Sequence, residues 1–187
     1  MARVDQRVRR SRDALGDALV ELIQEKTFDS ITVQDVLDRA GVGRSTFYAH
    51  YKDKNDLWLS DVEEFLEMMA GALSRGRAKS ERVFPVNELF THVADQGKLL
   101  DALSESGRLH DFLELAQGCF ARGIERRLGE VERSKHLPQE LRTAMGQALA
   151  GALLSLLRSW MAQSSRKSAK EMDVLFHQLV FCGVQKL

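Results

Sequence analysis

Between Gly43 and Lys54 the sequence gathers an unusual density of hydrogen-bond donors. Arg44, Ser45, Thr46, Tyr48 and His50 follow one another with only Phe47 and Ala49 between, and Lys52 and Lys54 flank the end. Each of these side chains can donate to base edges or phosphate oxygens. Phe47 and Tyr51 stand four residues apart and can pack inward on a helix, which leaves the donors facing outward. Arg44 has the chemistry for a guanine contact, because a guanidinium can bond both O6 and N7. Enzymatic chemistry has no comparable support. The chain has no glycine-rich phosphate loop, no nucleophile elbow, no Cys-x-x-Cys and no metal motif, so neither a cofactor nor a metal is expected.

A donor-rich helix reads a duplex only when braced, and the preceding residues supply the brace. Thr32, followed three residues on by Asp35, has the form of a capping box, so a helix starts there. Val33, Val36, Leu37 and Ala40 give it one apolar stripe, and Gly41 stands where a left-handed C-terminal residue is wanted. Val42 and Gly43 make the turn. Two short helices joined by a Gly-containing turn form the minimal unit that places a helix in a major groove. Ahead of them a helix from about Val4 to Lys26 carries Ala14, Leu15, Ala18, Leu19, Leu22 and Ile23 on one face. Asp53 with Asp56 caps a fourth helix, whose first N–H groups and dipole are expected to meet a phosphate.

Charge supports this through its distribution. The 187 residues balance at 27 basic and 27 acidic side chains, which does not by itself favour nucleic acid. Arg3, Arg7, Arg9, Arg10 and Arg12, however, face only Asp5 in the first twelve residues, and Arg39, Arg44, Lys52 and Lys54 face only Asp53 in their stretch. Both clusters are candidates for phosphate contact.

The remainder also reads as helical, without strand-like alternation or repeats. Pro138 opens a long helix bearing small residues (Ala148, Gly151, Ala152, Ser155) beside Leu156, and the closing helix carries Leu175 and Leu179. Such stripes suit close helix–helix packing, either between two copies or within one core. The longest apolar run, Leu149 to Trp160, is interrupted by Gly151, Ser155, Arg158 and Ser159 and is too short to span a bilayer. No signal-peptide pattern is present, so a cytoplasmic protein is expected. Cys119 and Cys182 read as reduced, buried thiols. His110 and Glu114 share a helix face without further ligands nearby.

The run Thr32-Val33-Gln34-Asp35-Val36-Leu37-Asp38-Arg39-Ala40-Gly41-Val42-Gly43-Arg44-Ser45-Thr46-Phe47-Tyr48-Ala49-His50-Tyr51-Lys52-Asp53-Lys54-Asn55-Asp56-Leu57 resembles the signature of the tetracycline-repressor (TetR/AcrR) family. With the helix before it, the resemblance covers about the first 60 residues. It implies an all-α chain of about nine helices, divided into a three-helix DNA-binding domain over 1–54 and a helical regulatory and dimerisation domain over 55–187. It implies that Thr32, Tyr48, His50 and Lys54 contact the DNA backbone, and that Gly43, Arg44, Ser45 and Thr46 read bases. It implies a homodimer on a palindromic operator, with Ala148, Gly151, Ala152, Ser155, Leu156, Leu175 and Leu179 at the interface. It also implies a repressor released by a small effector, for which Phe90, Leu103, Phe112, Leu115, Cys119 and Phe120 are candidate pocket residues. The alternatives are a helical protein–protein adaptor and a regulator without an effector.

Overall fold

The computed structural model describes residues 2–73, 80–163 and 166–184. The side chains at 2–5, 7, 98, 100 and 182–184 lie outside the description, so the expectations for Arg3, Arg7 and the Cys182 thiol do too. Among the described residues there are nine α-helices and no strands: α1 (Ala2–Glu25), α2 (Val33–Ala40), α3 (Arg44–Tyr48), α4 (Lys54–Ala70), α5 (Val86–Asp95), α6 (Gly97–Glu105), α7 (Leu109–Glu130), α8 (Gln139–Ala162) and α9 (Ala169–Val184). None of them is long and apolar enough to cross a membrane.

The helices fall into two compact units, Met1–Val62 with Gln96–His110, and Glu63–Asp95 with Asp111–Leu187. This differs from a division at residue 54. The start of α4 belongs with the first unit because Leu57 and Trp58 are buried there. The distant α6 belongs with it because it packs on α1 and buries Leu103.

In the first unit, Leu15, Ala18, Leu19, Leu22 and Ile23 of α1 form the buried stripe that the 3.6-residue period demands. A 3-10 turn, Phe28–Ser30, then carries Phe28 into the core at 1% exposure. The Arg108 guanidinium lies 4.4 Å from the centre of the Phe28 ring and donates to Asn55 Oδ1 at 2.7 Å. Gly41 ends α2 with φ +64°, the left-handed geometry that a side chain disfavours. Gly16 lets α1 meet α4, since a Cβ there would lie 2.3 Å from Asp61 Oδ1.

In the second unit, α5 packs on α9 and aromatic pairs fill the core. Phe84 meets Phe120 at 4.6 Å, and Phe90 meets Trp160 edge-on at 5.1 Å. The α7–α8 approach is close at Gly146, where a Cβ would lie 2.7 Å from the Ala121 carbonyl oxygen.

A polar knot fastens α9 to the segment before α5. Arg82 pairs with Asp173 at 2.7 Å and with Glu88 at 2.5 Å. His177 Nε2 accepts from the Val83 N–H at 3.1 Å, while Nδ1 lies 2.8 Å from the Asp173 carbonyl oxygen. Both ring nitrogens are satisfied in the neutral tautomer, with the proton on Nδ1. A second proton on Nε2 would oppose the Val83 N–H. Burial pushes the His177 pKa below its ordinary 6.5, against the pull of Asp173 and Glu88, and burial lowers that of His92 likewise. A depressed histidine contributes stability that is full above 6.5 and falls away as pH drops toward the folded-state value. The unfolding midpoint is therefore expected to fall as pH is lowered from 6.5 to 5. His177→Asn should flatten that decline, as read by thermal melts across the range. A wild-type midpoint unchanged over that window would contradict the arrangement.

Candidate nucleic-acid interface

The interface is built from α2 upward. Thr32 caps α2, with its Oγ1 accepting from Asp35 N at 3.1 Å, and its backbone N–H donates back to Asp35 Oδ2 at 2.7 Å. Lys26 joins the same carboxylate at 2.9 Å. These donors, Lys26 foremost and then Thr32, hold the Asp35 carboxyl well below the usual carboxylate range. The Thr32 hydroxyl also donates to Asp35 Oδ2 at 2.8 Å, so its proton is already committed. Thr32→Ala should cost about 1 kcal/mol through the lost cap.

Helix α3 follows the Val42–Gly43 turn. Phe47 is fully buried and Tyr51 nearly so, with the Tyr51 hydroxyl accepting from Arg12 Nε at 3.0 Å. These two anchors turn the opposite side outward. Gly43, Arg44, Ser45, His50 and Lys52 are exposed, Thr46 is half-buried, and Tyr48 is 53% exposed with its ring edge-on to Phe47 at 5.2 Å. The residues expected to read bases are thus presented on one short helix and its leading turn.

The geometry gives three of the surrounding charged groups partners within the chain. Lys54 does not stand free for a phosphate. Its ammonium donates to the carbonyls of Phe28 (2.7 Å), Asp29 (3.1 Å) and Ile31 (2.7 Å) and lies 4.9 Å from the centre of the Phe28 ring. An ammonium has three protons, and three carbonyls use them. Arg39 is bound into α1, pairing with Glu21 at 3.0 Å and Glu25 at 2.8 Å, which raises its pKa and lowers that of Glu25. The start of α4 is filled by its own chain: Asp53 Oδ1 accepts from the N–H groups of Asn55 (2.7 Å) and Asp56 (2.9 Å). Those N–H bonds, Asp56 first, keep the Asp53 carboxyl low.

The role of Lys54 as a clamp gives a direct prediction. Lys54→Met should lower the stability of the chain by about 1.5–3 kcal/mol, the range for hydrogen bonds to a charged group. Urea unfolding checks the loss. The salt dependence of DNA binding by the folded fraction should stay unchanged, whereas a lost phosphate contact would reduce its slope by about one.

Gln34, for which the sequence alone suggests no role, and Arg12, expected at a phosphate, shape this surface. Gln34 on α2 accepts from Arg44 Nη2 at 2.8 Å, and Arg12 holds Tyr51. Period 3.6 already puts Gln34 on the outer face of α2, with Asp38 one turn on. The link from Gln34 to Arg44 follows from how the turn sets α3 against α2.

The residues expected at an effector pocket are divided between the two units. Leu103 lies in the first unit, while Phe90, Phe112, Leu115, Cys119 and Phe120 lie in the second. Phe90 and Phe120 are core, and Phe112 and Leu115 are half-buried. Cys119 borders a cleft of about 400 Å³ shared with Glu67, Ala70, Gly71, Arg122, Gly123 and Arg126. Burial raises the Cys119 thiol pKa, against the pull of the Arg122 guanidinium at 3.2 Å.

At the expected dimer face, Ala148, Ala152 and Ser155 of α8 are exposed, as is Leu179 of α9 at 53%; Gly151, Leu156 and Leu175 are half-buried.

Comparison with known proteins agrees with this layout. Residues 15–60 match the family model of bacterial regulatory proteins, tetR family. An HTH-type transcriptional regulator of Bacillus subtilis (strain 168), YxbF, is 38% identical over 55 residues, which is 29% of this chain and 14% of that protein. The chain therefore spans only a small part of that relative. A TetR transcriptional regulator from Streptococcus agalactiae 2603V superposes with a TM-score of 0.63 at 24% identity, covering 96% of this chain and 99% of that one. The dihydroxyacetone kinase operon activator DhaS superposes with a TM-score of 0.66 at 13% identity, covering 95% and 97%. Residues 15–60 thus carry the helix-turn-helix described for bacterial regulatory proteins of the tetR family, and the chain around them shares the all-helical fold of the solved regulators.

Proposed function

We propose that the protein is a homodimeric transcriptional repressor that binds a palindromic operator and is released by a small effector. The observation that carries the reading is the outward face of α3: Arg44, Ser45 and Tyr48 are exposed and Thr46 is half-buried, while Phe47 and Tyr51 fix the helix from behind. Arg44 is assigned to guanine, Ser45, Thr46 and Gly43 to neighbouring base edges, and Tyr48, His50 and Lys52 to phosphates. Two copies are needed because palindromic half-sites repeat at about one DNA turn, ~34–36 Å, or multiples of it. The exposed small residues on α8 and Leu179 on α9 supply a face for the second copy.

Release requires an effector with different affinities for two arrangements of the dimer, since equal affinity shifts nothing. The test is a reporter driven by the DNA upstream of the gene for this chain. Expression of the chain should lower output. A rise would replace repression with activation, the reading favoured by the structural likeness to an operon activator. No response, with no shift of any genomic fragment in gels, would favour a helical adaptor.

A further inference from the structure

Gln34 stands between two charged groups on the exposed side of the helix-turn-helix. Its Nε2 donates to Asp38 Oδ1 at 2.8 Å, and its Oε1 accepts from Arg44 Nη2 at 2.8 Å. The carboxylate of Asp38 only accepts, so it selects the NH₂ end of the amide and turns the oxygen toward Arg44. That oxygen occupies one of the five N–H groups of the guanidinium and leaves four for DNA. A guanidinium plane fixed before binding loses less rotamer freedom when it forms a two-bond fork, and a fork is strict about its plane.

We infer that Gln34, oriented by Asp38, is a positioning residue that sets the Arg44 guanidinium for base recognition and thereby fixes operator preference. The inference rests on the reading of Arg44 as a base contact. It makes operator choice a property of α2 as well as α3, carried by the Asp38–Gln34–Arg44 chain.

The experiment selects one duplex from a randomised pool with the wild-type chain, then measures affinity for every single base-pair substitution of it. Gln34→Ala, Arg44→Ala, the double variant, and Gln34→Glu paired with Asp38→Asn are compared with wild type. The paired variant restores the chain with its polarity exchanged: the amide introduced at position 38 donates to the carboxylate introduced at position 34, and that carboxylate accepts from Arg44. Gln34→Ala should weaken discrimination by roughly three- to tenfold at the base pair where Arg44→Ala loses it. The double variant should be no worse there than Arg44→Ala, and the paired variant should recover the preference. Gln34 is exposed, so unfolding midpoints should match wild type and exclude a folding effect. If Arg44→Ala leaves the profile unchanged, the reading of Arg44 fails and this inference falls with it. If Arg44→Ala changes the profile but Gln34→Ala does not, or acts at a different base pair, or weakens all duplexes alike, this inference alone is overturned.

Discussion

Ala152→Arg should leave a folded monomer that has lost at least about 100-fold in operator affinity. Ala152 is exposed on α8, one turn from Ala148 and three residues before Ser155, which is exposed on the same face. Within one copy an arginine there displaces nothing, so the far-UV spectrum and thermal midpoint should be close to wild type. Across the proposed two-fold axis the change would be made twice, on faces whose small residues would allow a close approach. Two guanidinium groups would then have to share a space built for methyl groups, without counter-ions. The affinity loss follows from linkage: once one half-site is occupied, a dimer offers its second reading head at high effective concentration, and a monomer does not. Sedimentation equilibrium and gel titration read the two effects separately. A variant that remains dimeric and binds normally would move the interface off this face.

Arg44→Ala should cost about 1–3 kcal/mol of operator affinity and flatten preference at one base pair in each half-site. Arg44→Lys separates the two ways of losing a contact. An ammonium keeps the charge but cannot bond O6 and N7 with the same planar fork, so preference should fall more than affinity for non-operator DNA. A uniform loss on all duplexes, with a salt slope reduced by about one, would mark Arg44 as a phosphate contact instead.

Local chemistry made much of this molecule legible before any coordinates. The capping box at Thr32, the left-handed Gly41 and the inward pair Phe47 and Tyr51 each follow from residue type and helical spacing. They are short-range features, and short-range features survive in a sequence. The residues whose surroundings the sequence does not reveal are those whose partners lie far along the chain. Lys54 is three residues from Tyr51 by number, but its ammonium is spent on carbonyls more than twenty residues earlier. Arg39 sits in a basic cluster by composition and answers to Glu21 and Glu25 of α1 in space. Leu103 reads as a pocket residue of the second half, yet α6 packs on α1 and buries it in the first unit. Residue type predicts what a charge can do, while the fold decides whether its protons are still available.

The most direct measurement is a hydroxyl-radical footprint of the wild-type chain on a duplex selected from a randomised pool, with the number of bound chains counted by mass. Two protected patches related by a dyad, about one helical turn or a multiple of it apart, with an even number of chains per duplex, are predicted. One isolated patch holding a single chain, or protection no stronger than on unselected DNA, would contradict the account.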